Sequence, residues 1–198
     1  MQIDHLAITC ADLATGAAWA MAHLGQPTEP GGQHARFATH NRLIRLGDGE
    51  YLEIIAPDPA TQPDGPRWFG LDRAGPPVLG NWIVRAPDLT GLPPEAGQPL
   101  AMSRGALHWQ IMLPSDGHLP MDGGFPTVIA WGAGVPHPAD RLPDRGLRLA
   151  ALDVLHPQAD RLRQMLAPRL TDPRVRFIPA ATPSLRARIA TPDGAVAL

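Results

Sequence analysis

The chain has 198 residues, 44% of them hydrophobic, and a net charge of −2 at neutral pH. This length and composition predict one large domain or two small ones and exclude general disorder, and the charge excludes a basic surface for wrapping nucleic acid. All 17 basic residues are arginine, which excludes a lysine Schiff base and a phosphate-binding lysine loop.

The single cysteine, Cys10, cannot form an internal disulfide. The start of the chain lacks the basic and apolar segments of a signal peptide, and no apolar stretch approaches the roughly 18–20 residues that span a bilayer. We therefore expect a cytoplasmic protein that does not enter a membrane.

The first 58 residues predict a βαβββ unit. Residues 2–10 indicate a strand, and Asp12 is placed to cap a helix that ends at Gly25. Three more strands complete the unit, with an Asp-Gly turn before the last: 34–39, 41–46 and 51–56.

A second unit is expected over about 76–132, after a proline-rich spacer. Residues 78–85 indicate a strand, and Asp88 follows it as Asp12 follows the first strand. Pro93 and Pro94 require the helix of this unit to be short or absent. Its remaining strands are expected at 98–104, 107–113 and 125–131.

A third unit is expected over about 146–198. It has a strand at 147–155 and an amphipathic helix at 157–166. Further strands are expected at 175–179, 185–190 and 195–198. Three copies of one period predict a single α+β domain of repeated βαβββ modules, forming a curved, partly open mixed β-barrel with helices outside. An ordinary α+β domain without repeats is the alternative.

Two stretches carry a family resemblance: IDHLAITCADL (3–13) and HNRLIRLGDGEYLEIIAPD (40–58). They resemble the glyoxalase-like family of the vicinal oxygen chelate (glyoxalase/bleomycin resistance/dioxygenase) superfamily, with His5 where its strand has a metal-binding histidine and Asp12 where its helix opens. The segments at 80–89, 123–132 and 136–139 are also similar. The resemblance implies a fold and no single activity, because the superfamily contains lyases, isomerases, dioxygenases and non-catalytic binders.

His5 and Glu53 are the main candidates for chemistry. Glu53 lies in an apolar strand, where a carboxylate must be paired, protonated or bound to a metal. His5 is expected to share a strand face with Ile3 and Ala7 and to converge with Glu53 on a divalent ion, for which this donor set suits Zn, Fe, Mn, Ni or Co. Without a metal, Glu53 is a candidate general base, or the two groups hydrogen-bond inside the barrel.

The resemblance also implies a second His/Glu pair, which the sequence lacks. Aligning Asp88 with Asp12 places Asn81 against His5, and the last strand of the second unit has no carboxylate. His108 is the candidate for a third metal ligand, unless its side chain points to solvent.

Other side chains are candidates for substrate binding. His40 and Asn41 are expected to brace the start of a strand or to bind a ligand's polar end, and Trp131 is expected to form a pocket wall. Arg104, like Arg36, is a candidate clamp for a substrate carboxylate. His137, between two prolines, is expected at the pocket rim. The remaining histidines are expected at the surface: His23, His34, His118 and His156.

Three functions remain open. An enzyme would isomerise, cleave or ring-open a small oxygenated molecule, with a metal or with Glu53 as base. A binding protein would hold a similar ligand without turnover. A structural protein would keep a vestigial pocket, and a homodimer would cover its exposed strand edges.

Overall fold

The computed structural model describes residues 1–198 and contains two sheets and two α-helices. The eight strands of the larger sheet are β1 (Gln2–Thr9), β2 (Glu29–His34), β3 (Thr39–Gly47), β4 (Glu50–Pro57), β5 (Val78–Arg85), β6 (Gln98–Arg104), β7 (Leu107–Leu113) and β8 (Thr127–Trp131). The four strands of the smaller sheet are β9 (Arg148–His156), β10 (Val175–Pro179), β11 (Ser184–Thr191) and β12 (Gly194–Ala197). The helices are α1 (Leu13–Leu24) and α2 (Ala159–Leu166).

The larger sheet is built from two matching halves. Its strand order is β2-β3-β4-β1-β5-β8-β7-β6, so each half places its first strand beside its last in a parallel pair. The antiparallel pairing of β1 with β5 joins the halves at the centre. The sheet curls until its edge strands meet, where Arg104 at the end of β6 donates to Nε2 of His34 at the end of β2 at 3.1 Å. The predicted α+β class and the partly open barrel are confirmed.

The third unit differs from the other two. Its sheet order is β10-β9-β11-β12, so its first strand lies between the second and the third instead of beside the last. The difference arises because the chain leaving α2 returns directly alongside β9. The third unit therefore keeps the predicted βαβββ order of elements, close to the predicted positions, but pairs its strands in a different order.

Helix α1 covers the convex face of the first half. Asp12 accepts a hydrogen bond from the backbone N–H of Thr15 at 2.7 Å, and Gly25 ends the helix in a left-handed conformation with φ of 65°. Gly16 allows close packing, since a Cβ there would stand 2.6 Å from Cγ2 of Ile54. Neither helix has the length and apolar character that a membrane span requires.

The second half has no α-helix of its own. Only a short 3-10 turn, Pro94–Ala96, occupies that part of the chain. The third unit covers this half instead: Trp82 of β5 contacts Phe177 of β10, with ring centroids 6.2 Å apart, and Leu162 of α2 belongs to the same buried core. The main core therefore lies between the larger sheet, α1 and the third unit.

The strand predicted at 34–39 is wrong. The structure has β2 at Glu29–His34, then a 3-10 turn, and a left-handed Ala38 with φ of 47° before β3 begins. The sequence of β2, EPGGQH, has little strand propensity. Such a segment is accepted as an edge strand, because proline and glycine are tolerated where one side of the strand has no ladder partner.

Candidate active site

A β-bulge turns two consecutive residues of β1 toward the concave side of the sheet. In the pairing with β5, Ile3 lies opposite Val84 and His5 lies opposite Ile83, so Asp4 is an extra residue in the ladder. Ile3 packs in the main core while His5 lines the concave cavity. This corrects the expectation that His5 shares a face with Ile3.

Asp4 is a fully buried carboxylate with three hydrogen-bond donors. It accepts from His5 Nδ1 at 2.6 Å, from Trp131 Nε1 at 2.9 Å and from His137 Nε2 at 3.0 Å. Burial alone would raise its pKa, but the hydrogen bonds from His137 and His5 hold the pKa of Asp4 well below its ordinary value. Asp4 is therefore ionised and fixes the orientation of His5.

The hydrogen bonds also assign the protons of two imidazoles. His137 Nδ1 accepts from the backbone N–H of Ala139 at 3.2 Å, so the proton given to Asp4 sits on Nε2 and the ring is neutral. His5 donates from Nδ1 to Asp4, which leaves its Nε2 facing the cavity. Tyr51 stacks on His5 with ring centroids 4.4 Å apart, and burial raises the pKa of its phenol well above the usual value.

Glu53 faces His5 from β4 and is only 4% exposed. Its Oε1 accepts a hydrogen bond from Asn41 Nδ2, and Asn41 is fixed because its Oδ1 accepts from the backbone N–H of Gly32 at 2.7 Å. Its Oε2 lies 3.6 Å from His5 Nε2, too far for a hydrogen bond. An imidazole lone pair and a carboxylate oxygen repel each other, so a proton or a cation must lie between them.

The pair fits a metal ion only in part. Metal bonds to imidazole nitrogen and carboxylate oxygen are roughly 2.0–2.2 Å long, so an ion can bridge atoms 3.6 Å apart. Asp4 and Asn41 are the kind of outer partners that orient metal ligands. The structure contains no group of three His, Cys, Asp or Glu side chains that could hold a metal, however, and catalytic zinc sites normally have three protein ligands.

The second half of the sheet carries a neutral pair at the matching place. Glu53 lies opposite Ala7 in the β1–β4 ladder, and Thr127 lies opposite Ile83 in the β5–β8 ladder. Asn81, which the alignment placed against His5, donates from Nδ2 to Thr127 Oγ1 at 3.0 Å. These two buried side chains satisfy each other, so this half supplies no free ligand to the cavity.

The cavity between the two halves has a volume of about 30 Å³, room for one or two water molecules. Five aromatic side chains form one part of its wall: Tyr51, Trp68, Phe69, Trp109 and Trp131. Its polar lining consists of His5, His34, Asn41, Glu53 and Arg104. A small polar group of a ligand fits here among rings that exclude water.

The structure brings five of the predicted site residues together at this cavity: His5, Asn41, Glu53, Arg104 and Trp131. His137 acts behind them, through Asp4. His40 lies on the opposite face of β3, beside the start of α1. His108 is exposed, because it alternates with the buried Trp109 on β7. The structure therefore brings neither His40 nor His108 to His5 and Glu53.

Among the residues of the site that sequence reasoning missed are Asp4 and His34. Asp4 had a signal, since a carboxylate beside a histidine in an otherwise apolar strand needs a partner. His34, expected at the surface, is buried and donates from Nδ1 to Thr39 Oγ1 at 3.1 Å. Burial, reinforced by the charge of Arg104, lowers the pKa of His34 to about 3, so its ring is neutral. His156, also expected at the surface, is buried.

The fold and the motifs agree with comparisons to known proteins. The chain matches the model of the glyoxalase-like domain over residues 3–170. No curated protein matches it. Among solved structures it is similar to a hypothetical protein from Staphylococcus aureus, with a TM-score of 0.61 and 13% identity over 92% of this chain and 87% of that chain. Such a low identity shows a shared fold alone.

Two further solved structures have lower scores. Streptomyces coelicolor methylmalonyl-CoA epimerase (Q60A) in complex with 2-nitronate-propionyl-CoA has a TM-score of 0.45 and 18% identity, over 67% of this chain and 99% of that chain. A xylose isomerase-like TIM barrel/4-hydroxyphenylpyruvate dioxygenase fusion protein has a TM-score of 0.45 and 17% identity, over 98% of this chain and 30% of that chain. Because the family model spans most of the sequence, the chain belongs to the glyoxalase-like domain family.

Proposed function

We propose that the chain is an enzyme that transfers a proton on a small oxygenated molecule, in an isomerase or lyase type of reaction, with Glu53 as the general base. The observation that carries the proposal is a buried carboxylate 3.6 Å from an imidazole that a second, ionised carboxylate holds in place. A structural role would favour a closed hydrogen bond between the two groups.

The geometry supports one proton transfer step. Glu53 Oε2 takes a proton from a carbon next to a carbonyl or carboxyl group, and the electron pair of the broken C–H bond moves to the neighbouring oxygen. His5 Nε2 lies on the same wall, where it can hydrogen-bond that oxygen as it gains charge. The proton then returns to carbon, or a leaving group departs from the adjacent carbon.

A metal-dependent reaction of the same molecule class is the second candidate. The separation of His5 and Glu53 and their outer partners Asp4 and Asn41 favour a divalent transition ion, Zn, Fe, Mn, Ni or Co. Such an ion supplies Lewis-acid polarisation of substrate oxygens. The chain offers such an ion two ligands only, His5 and Glu53. Binding of the same molecules without turnover is the remaining alternative.

The test is hydrogen–deuterium exchange at carbon, followed by NMR in D2O with a panel of small hydroxy acids, keto acids and ketones. We expect the wild type to exchange at least one of them and Glu53→Gln to lower its rate by about 100-fold or more. Glu95→Gln is the matched control, because Glu95 pairs with Arg161 away from the cavity.

Metal analysis separates the two catalytic candidates. Less than about a tenth of an equivalent of transition metal in active protein purified without chelator would exclude the metal-dependent reaction. No exchange of any compound, with equal ligand binding by the wild type and Glu53→Gln, would contradict catalysis and leave binding alone.

A further inference from the structure

Arg104 is a partly buried arginine that lines the cavity and has no carboxylate partner. Two other partly buried arginines, Arg67 and Arg174, each pair with an aspartate or glutamate, whereas Arg42 donates to Thr28 outside the cavity. Arg104 lines the cavity, and its hydrogen bond goes to Nε2 of His34 at 3.1 Å. A half-buried cation that forms no ion pair is costly, which points to an anion that the bound state supplies.

His34 holds the guanidinium without neutralising it. Since arginine has no acceptor, Nε2 of His34 accepts from Arg104 and the ring proton lies on Nδ1, donated to Thr39. Trp68 Nε1 donates to the same Thr39 hydroxyl at 3.1 Å, so the cavity wall and the anchor share one hydrogen-bonded chain. The position of Arg104 is therefore fixed while its charge and its other N–H groups stay available.

The backbone of β2 is shaped to admit the Arg104 side chain. A Cβ at Gly32 would stand 2.6 Å from Cδ and 2.8 Å from Nε of Arg104. A residue with any side chain at position 32 would move the guanidinium from its place. Glu53 and Arg104 thus bring opposite charges to one cavity lined by aromatic rings.

From this arrangement we infer the substrate class: a small carboxylic acid whose carboxylate pairs with Arg104 while its reacting carbon lies at Glu53. The inference rests on the proposed function, which it deepens. The space between the two groups admits little more than the acid headgroup. Trp68 also lines a second cavity of about 250 Å³, which has room for an apolar body.

The test is isothermal titration calorimetry with lactate, pyruvate and mandelate and with two neutral counterparts, lactamide and mandelamide. We expect at least one acid to bind about tenfold or more tightly than its amide. Arg104→Met is expected to weaken acid binding by about 30-fold or more and to leave amide binding unchanged. Gly32→Ala is expected to weaken acid binding too, because it displaces the guanidinium without removing its charge.

Two other arginines serve as comparisons. Arg188→Met, on the exposed face of β11, is the matched control and is expected to bind acids as the wild type does. Arg36 lines the second cavity, so an acid-binding loss in Arg36→Met with normal binding in Arg104→Met would overturn the assignment. Equal binding of acids and amides, or no binding of any acid, would overturn it as well.

The outcome is separable from that of the proposed function. Acids that bind the wild type and Glu53→Gln in an Arg104-dependent way, without carbon exchange in either, would support the anion site and contradict the proton transfer. Exchange on neutral ketones with no preference for acids would contradict the anion site and leave the proton transfer standing.

Discussion

The two halves of the larger sheet share a backbone plan and differ in what they place at its centre. Both central strands carry a bulge, at Asp4 in β1 and at Gly80 in β5. The residue after each bulge is polar and buried, His5 in one half and Asn81 in the other. The first half has Asp4, His5 and Glu53 at these positions and at the facing position of its last strand. The second half has Gly80, Asn81 and Thr127 at the matching positions.

The comparison shows that matching positions of one fold can hold either a pair of side chains that hydrogen-bond each other or a pair that is left available to a ligand. Asn81 and Thr127 satisfy each other with a neutral hydrogen bond, which costs little to bury. His5 and Glu53 stay 3.6 Å apart with charges that need a proton, a cation or a substrate between them. The asymmetry restricts the proposed chemistry to one wall of the cavity.

Removing the carboxylate of Asp4 is expected to have the largest effect. Asp4→Ala leaves three donors without their acceptor inside the protein, and we expect a loss of about 3–5 kcal/mol in the free energy of unfolding, measured by urea denaturation. Asp64→Ala, at an exposed position, is the control. A loss below about 1 kcal/mol would show that the first half tolerates a bulge residue without a polar side chain, as the second half does with Gly80.

The same carboxylate gives a pH signature. The pKa of Asp4 is lowered in the folded protein, so its stabilisation is fully present above its unfolded pKa near 3.8 and is lost as the pH falls toward the folded value. We expect the stability of the wild type to fall more steeply below about pH 4 than that of Asp4→Asn.

The His5–Glu53 pair and the Asn81–Thr127 pair are expected to respond in opposite ways to single substitutions. Thr127→Val removes the acceptor of Asn81 and should cost about 1–3 kcal/mol. Glu53→Gln keeps an acceptor for Asn41, and its amide can donate to His5 Nε2. The residues at positions 5 and 53 then form a neutral hydrogen-bonded pair, as Asn81 and Thr127 do. We expect its stability to equal or exceed that of the wild type while carbon exchange is lost. A Glu53→Gln variant less stable than Thr127→Val would contradict the comparison.

The smallest expected effect on stability is that of replacing Asp12, which follows β1, or Asp88, which follows β5. Asp12 caps α1, whereas Asp88 accepts from the backbone N–H of Thr90 at 2.8 Å in a turn that leads to no helix. We expect Asp12→Ala to lower the melting temperature and Asp88→Ala to lower it less, because only the first leaves helix N–H groups without an acceptor. Equal shifts in thermal unfolding would show that the two turns contribute alike.

Local signals in the sequence predict much of the fold. The strands β5, β6 and β7 match their predicted bounds because apolar runs lie between proline and glycine breaks. β2 could not be predicted, since the pairing of EPGGQH depends on β3 and not on its own side chains. The strand order of the third unit could not be predicted from the sequence either, because pairing between strands that are distant in the chain leaves no local sequence pattern.

The candidate site was predictable only where a buried polar residue stands out in an apolar strand, as His5 and Glu53 do. Asp4 was missed because alternation places it on the face opposite His5, and the bulge that reverses this depends on the pairing with β5. His34 and Arg104 meet across the two sheet edges, a contact that the curl of the whole sheet produces. His108 follows plain alternation on β7 and points outward.

The meeting of β2 and β6 at the ends of the sheet has a mechanical consequence. The eight strands are joined by ladders everywhere except between these two, where a guanidinium, an imidazole and a bare glycine make the contact. Parting them would rupture no main-chain hydrogen bond, so the barrel can widen at this slit for the cost of a few side-chain contacts. The hydrogen bond from Arg104 to His34 therefore closes this edge of the barrel and also holds the guanidinium that we propose as the carboxylate anchor.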